Sequence, residues 1–182
     1  RGLRDLPGIL GEHAFRAEAW AKAAEYMLRA GNDAFWRDAK TEAVRYLVRG
    51  LEAVAKSDSG KAGALIALKL RLELRNPLFQ LARMEELGDH LDAARPLAAQ
   101  LSDPIHTGRY HIFQSHYHWF AGDSEGALKE AEAAQYLADS KGIQALARRA
   151  QFQRGLVFFS CGRHREAIAA MNEVTDAIMR DE

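Results

Sequence analysis

SHYHWFAGDSEGALKEAEAA, residues 115–134, and GLVFFSCGRHREAIAAMNEV, residues 155–174, decide the fold. Each reads as a helix, a Gly, and a second helix with an Ala five residues past that Gly: Gly122 with Ala127, and Gly162 with Ala167. LARMEELGDHLDAARPLAAQL, residues 81–101, offers a third copy with Gly88 and Ala93. The interval from Gly88 to Gly122 matches the tetratricopeptide (TPR) period of about 34 residues, and the interval from Gly122 to Gly162 is longer. A Gly between two helices supplies the positive φ that reverses the chain, and a small Ala lets the two helices approach closely. Met84, His118 and Phe158, four residues before each Gly, are expected inside the helix pair.

Upstream, Ala23 and Ala43 take the place of the packing alanine, but they stand too close together for a standard repeat. The spacing predicts irregular helix pairs over 1–58 and three more regular repeats over 59–182, forming one TPR-like array. Periodicity and the Gly, Asp and Ser punctuation predict helices at 7–15, 17–30, 32–38, 40–56, 60–87, 89–101, 104–121, 124–140, 143–161 and 164–180. Short connections make successive helices antiparallel neighbours. The expected fold is therefore all-α, a solenoid of antiparallel helix pairs in a right-handed superhelical array. Pro77 and Pro96 fall inside predicted helices, and each is expected to kink its helix or begin a new segment.

Composition agrees and excludes several functions. An apolar content of 48% over 182 residues suffices for a buried core, and strand signals are nearly absent. Lys plus Arg and Asp plus Glu are both 25, so the chain lacks the basic excess with which nucleic-acid binders neutralise phosphates. One cysteine, Cys161, excludes an internal disulfide and a multi-cysteine zinc site, and in its apolar run it reads as a packing residue. No apolar run nears the roughly 20 residues that span a bilayer. The expected setting is cytoplasmic, without membrane or nucleic-acid partners. The chain opens at Arg1 within helical sequence and reads as a fragment of a longer protein.

Two stretches carry a family resemblance. LRLELRNPLFQLARMEELGDHLDAARPLAAQLSD, residues 70–103, and EAWAKAAEYMLRAGNDAFWRDAKTEAVRYLVRGLEAV, residues 18–54, resemble the TPR tail of large bacterial signalling proteins. In those proteins a class III adenylate or guanylate cyclase domain, or a DNA-binding regulator, precedes a STAND-type ATPase and then the repeats. The resemblance implies a sensor or scaffold region that binds an effector or partner and controls its attached domains. It brings no catalytic residues to this segment: no phosphate loop and no cyclase metal-binding aspartates can be matched. No cofactor, metal or catalytic residue is expected.

In TPR arrays the first helix of each pair lines the concave face. Taking Gly155 as the eighth repeat position aligns it with Ser115 and Leu81, and places Arg75, Arg109 and Arg149 six residues earlier as a ladder. Guanidinium groups grip carboxylates through charge-assisted bonds, so a ladder suits an acidic peptide; solvated arginines or ion pairs within the array are the plainer reading. The same register turns Ile112, His116, Trp119, Phe152, Gln153, Leu156 and Phe159 toward the groove, against the plainer reading of inter-helix core. The groove candidates are thus Arg75, Arg109, His116, Trp119, Arg149, Gln153 and Phe159.

His106, His111, His116 and His118 form the densest ionisable cluster, in HTGRYHIFQSHYHWF. His111 and His118 share a face, but no HExxH occurs, and packing or groove contacts outrank metal binding. The acidic pairs Glu85 with Glu86 and Asp123 with Glu125 lie at helix ends and read as complements of the turn and the helix dipole. The expectation is a non-catalytic interaction and regulatory module binding a protein, peptide or effector in its groove. The alternatives are an oligomerisation scaffold that brings output domains together, as a homodimer, and a small-molecule sensor.

Overall fold

The structure is a computed structural model that describes residues 6–58 and 60–180, the Arg180 side chain excepted. The described residues form nine helices and no strand: α1 (Leu6–Arg16), α2 (Trp20–Trp36), α3 (Lys40–Ala55), α4 (Gly60–Gln80), α5 (Met84–Leu101), α6 (Pro104–Phe120), α7 (Ser124–Lys141), α8 (Gln144–Ser160) and α9 (His164–Arg180). They fall into two compact units, Arg1–Leu101 and Ser102–Glu182.

One local device sets the helix length. Every helix boundary holds one residue in the left-handed region, at nearly even intervals: Glu18, Asp38, Gly60, Ala82, Ser102, Gly122, Gly142 and Gly162. At six of them the next residue's N–H reaches back five residues to close the helix, at 2.9 Å each: Ala19 to Ala14, Ala39 to Ala34, Arg83 to Leu78, Asp123 to His118, Ile143 to Ala138 and Arg163 to Phe158. This is the Schellman closure, which satisfies carbonyls that a helix end leaves open. The helix length plus one such turn sets the step from each left-handed residue to the next. Two steps make a helix pair, as from Gly122 through Gly142 to Gly162.

That step corrects the sequence register. Gly88 is not a turn residue; it is buried inside α5, and the counterpart of Gly122 and Gly162 is Ala82 with φ 56°. The interval from Gly88 to Gly122 is therefore not a repeat. With it moves the rest of the frame. Leu87, fully buried, takes the place assigned to Ala93, and Leu78 the place assigned to Met84. Ala23, Ala43, Ala127 and Ala167 each stand five residues past a left-handed residue and are buried. The short separation of Ala23 and Ala43 is thus one helix step.

Other boundaries shift for related reasons. The helices expected at 17–30 and 32–38 are one helix, α2, because Gly31 is helical and buried rather than a break. The long helix expected over 60–87 ends at Gln80, and both α4 and α5 continue through Pro77 and Pro96. Pro77 lies in the last turn of α4, so little helix remains beyond it to be displaced. Cys161 is exposed at the α8–α9 turn instead of packed.

Seven residues before the turn, some helices need a side chain that is almost absent. A Cβ built on Gly11 would lie 2.9 Å from Met27, on Gly31 2.5 Å from Leu47, and on Gly155 2.7 Å from Met171. In each case the partner stands at the same place in the helix that follows. Ser115 occupies the equivalent position in α6, and its Oγ donates to the Ala127 carbonyl at 2.7 Å. Small residues here let paired helices close on one another, while the buried Leu68, Leu70, Leu72 and Leu74 of α4 fill the first unit's interior.

Candidate functional site

Within the second unit α6 packs against α7 and also against α8, and α8 against α9. Contact between alternate helices marks α6 and α8 as one row, with α7 and α9 behind it. The step from Gly122 to Gly162 sets equivalent places along this row: Arg109 with Arg149, Ile112 with Phe152, His116 with Leu156, and Trp119 with Phe159.

Arg149 is exposed, Arg109 half-buried with its guanidinium 5.6 Å from the Phe113 ring centre. His116 and Trp119 are half-buried, their rings 5.4 Å apart and tilted by 60°. Phe152 and Phe159 are 47% and 66% exposed, and Phe159 lies against His164 at 5.6 Å. Gln153 turns the other way and is buried. Arg75 belongs to the first unit. Counted from its own turn residue Ala82, it aligns with Ser115 and Gly155, while Lys69 holds the place of Arg109 and Arg149. Leu81, aligned by sequence with Ser115, lies in the α4–α5 turn. Arg75 is half-buried, bonds Asn76 Oδ1 at 2.6 Å and lies 5.3 Å from the Phe79 ring centre. Burial holds its guanidinium below the usual arginine range.

The histidine cluster is engaged pair by pair. His106 meets Asp103 at 2.7 Å, His111 meets Glu130 at 2.6 Å, and His118 meets Asp123 at 2.9 Å. Asp103 and Asp123 are the N-caps of α6 and α7, accepting from the His106 and Gly126 amides. Those backbone bonds, first of all, hold both carboxyls below the ordinary carboxylate range. Glu85, Glu86 and Glu125 lie in first helical turns, as the dipole favours. Among the described residues no group of three or more His, Cys, Asp or Glu is placed to hold a metal ion, and no helix is long and apolar enough to cross a membrane.

The sequence reading missed two features of the first unit. One is a cleft of about 510 Å³ lined by Tyr46, Arg45, Arg49, Glu52 and Arg83 among others. Its guanidiniums are engaged at home, Arg49 with Glu52 and Arg83 with Glu86, and nothing in the sequence brings α1, α3 and α5 together. The other is Arg71 of α4 beside His90 of α5, 3.0 Å apart. Its signal was present: the two stand 19 residues apart, as do His111 and Glu130.

Two solved structures share the fold. A Rap protein complexed with competence and sporulation factor superposes with TM-score 0.73 at 15% identity, over 92% of this chain and 51% of its own. Aspartyl phosphate phosphatase F from Bacillus subtilis superposes with TM-score 0.75 at 12% identity, over 94% of this chain and 49% of its own. The chain thus spans about half the length of the structures it matches. No protein-family model matches it, and no curated protein does.

Proposed function

We propose that this chain is a non-catalytic interaction module that binds a protein or peptide partner along the α6–α8 row. The reading is carried by one observation: the series Arg109, Ile112, His116, Trp119 recurs one helix pair later as Arg149, Phe152, Leu156, Phe159, with Phe152 and Phe159 exposed to solvent. Two parallel rows of one charge followed by apolar side chains suit an extended or helical segment with an acidic end and an apolar body. Exposed aromatics of this size are the usual anchors of interfaces. That a Rap protein of similar fold was solved with a bound factor supports the reading by analogy of architecture. The other neighbour is a phosphatase; here the acidic pairs serve as caps and first-turn residues, which supports a module without chemistry of its own. The placement beside a bacterial cyclase or STAND-type ATPase rests on the sequence resemblance, and the cytoplasmic setting on the lone Cys161.

The test is a selection of capped peptides on the immobilised chain, repeated with Arg109→Ala/Arg149→Ala and with Phe152→Ala/Phe159→Ala. Peptides that bind the native chain are expected to lose binding to both variants while helicity and melting stay the same. Binding that survives both double substitutions removes the row from the site.

A second reading, self-association as a scaffold, draws on a different face. Helix α9 exposes Ile168 (61%) and Met179 (66%), with Ile178 beside them. In α7, against which α8 packs, the place of Ile178 is held by the buried Ala138. Sedimentation over a range of concentrations decides it: a mass that rises with concentration and falls back with Ile168→Lys assigns α9 to a homodimer.

A further inference from the structure

The repeat register compares two cross-helix pairs directly. The step that carries Gly122 to Gly162 also carries Arg71 to His111 and His90 to Glu130. In the second unit the pair is His111 with Glu130, at 2.6 Å, and the acceptor is a carboxylate. In the first unit the pair is Arg71 with His90, at 3.0 Å, and the place of the carboxylate is held by an imidazole. An arginine stands where the second unit has His111, and the acid that faces it there, Glu130, is replaced by His90.

The consequence is a half-buried guanidinium without a counter-charge. Arg71 Nη1 points at His90 Nδ1, and Arg71 Nε is buried with no hydrogen-bond partner. No carboxylate of the described residues lies within ion-pair distance of it. On the far side of the imidazole, Glu86 is 3.9 Å from His90 Nε2 and is itself paired with Arg83. Burial and the adjacent Arg71 charge hold His90 below the ordinary histidine range, against the smaller opposing pull of Glu86 and Asp89. The imidazole is therefore neutral at pH 7, and its Nδ1 accepts from Arg71. A ring fixed this way orients the guanidinium without neutralising it. Arginine stays protonated throughout, and a partly desolvated charge is stabilised by any oxyanion that reaches its exposed part.

We propose that Arg71, oriented by His90, is an oxyanion anchor of the first unit that takes a carboxylate or phosphate group from a ligand. Arg71 keeps part of its surface in solvent, so an anion reaches it without unfolding the α4–α5 pair. The ligand class is an acidic peptide side chain or a free phosphate, since both present the planar or tetrahedral oxygens that a guanidinium grips. The site uses first-unit residues only and does not depend on the α6–α8 row.

The experiment is an amide NMR titration of the whole chain with inorganic phosphate and, separately, with acetyl-Glu-Glu-Glu-amide. Amides flanking Arg71 and His90 are expected to shift saturably. Binding is expected to weaken by roughly tenfold or more in Arg71→Gln, where the charge is lost. It is also expected to weaken in His90→Glu, which restores the carboxylate found at Glu130 and closes the site from within while keeping the fold. The charge-removing control Lys22→Gln, at an exposed first-unit residue outside both sites, is expected to bind as the native chain does. Response to phosphate alone assigns a free anion, and response to the peptide assigns an acidic partner; either supports the anchor. The absence of saturable shifts with both probes overturns it, as do shifts unchanged in His90→Glu.

Discussion

The two units make the same turn with different residues. In the second, Gly122, Gly142 and Gly162 take the left-handed position after Ser102 at its start; in the first, Glu18, Asp38 and Ala82 do, alongside Gly60. The closing hydrogen bonds are the same length in both, so the geometry is fixed by the helix ending and not by the residue that adopts it. Both units also place glycines inside helices: Gly11 and Gly31 sit against Met27 and Leu47 in the first, and Gly155 against Met171 in the second. Glycine therefore serves close approach in both units and reversal mainly in the second, and these two uses respond differently to substitution.

The largest effect is expected where a side chain is forced into contact. Gly31→Val drives a branched side chain into Leu47, which is fully buried, and is expected to cost about 3 kcal/mol in urea unfolding. Adding Leu47→Ala should return part of that loss. If Gly31→Val unfolds like the native chain, close approach does not explain this glycine.

Next come the turns, where the sign should reverse between units. Gly122 has no neighbour near its absent side chain, so Gly122→Ala tests backbone strain alone and is expected to cost about 1 kcal/mol. Ala82→Gly should gain a similar amount by relieving the same strain. Equal signs for the two would show that the turn residues are held by contacts rather than by φ.

A smaller contrast lies in the caps. Asp103 and Asp123 cap α6 and α7 with side-chain bonds, whereas Ala19 and Ala39 begin α2 and α3 with none. Asp123→Ala is expected to lower the melting temperature by about 3 °C, and Ala39→Asp to raise it by a similar amount. A change of the same sign in both would show that these helix starts are stabilised by something other than the cap bond.

The smallest and most selective effect is on pH. Because His90 is depressed in the folded chain, its neutral form belongs to the native state and the unfolded chain binds the extra proton. Its contribution is complete above the ordinary histidine value of about 6.5 and is lost as pH falls through the lower folded value. Asp103 and Asp123 are likewise depressed, but their contribution is complete above about pH 4 and is lost only below it. Between pH 7.5 and 5 the first unit should therefore weaken more than these caps do. Trp20 and Trp36 report the first unit and Trp119 the second, so denaturation followed in single-tryptophan variants separates them. His90→Gln should flatten the first unit's response.

The candidate row was legible where glycine marked the turn. Ser115 with Gly155, and Arg109 with Arg149, keep the register read from Gly122 and Gly162. Arg75 and Leu81 fall out of that register because Gly88 is helical and Ala82 makes the turn. Nothing local distinguishes a helical Gly88 from a turning Gly122, since glycine tolerates both conformations. Ala82 adopts the turn because two helices must reverse there, which its own propensity opposes. Gln153 and Phe159 share a helix, and only the neighbours of α8 decide that one is buried and the other faces water.

By itself the sequence determined that the chain is helical, that its helices pair through short reversals, and that the frame around Gly122 recurs at Gly162. These follow from propensity, periodicity and capping, which act within one helix length. The tertiary structure alone decided which residue bears each left-handed turn, which face of α4 holds Arg71 against His90, and which aromatics stay in solvent. Those outcomes depend on the rotation of one helix against another, and that rotation is set by the summed contacts of residues far apart in the chain.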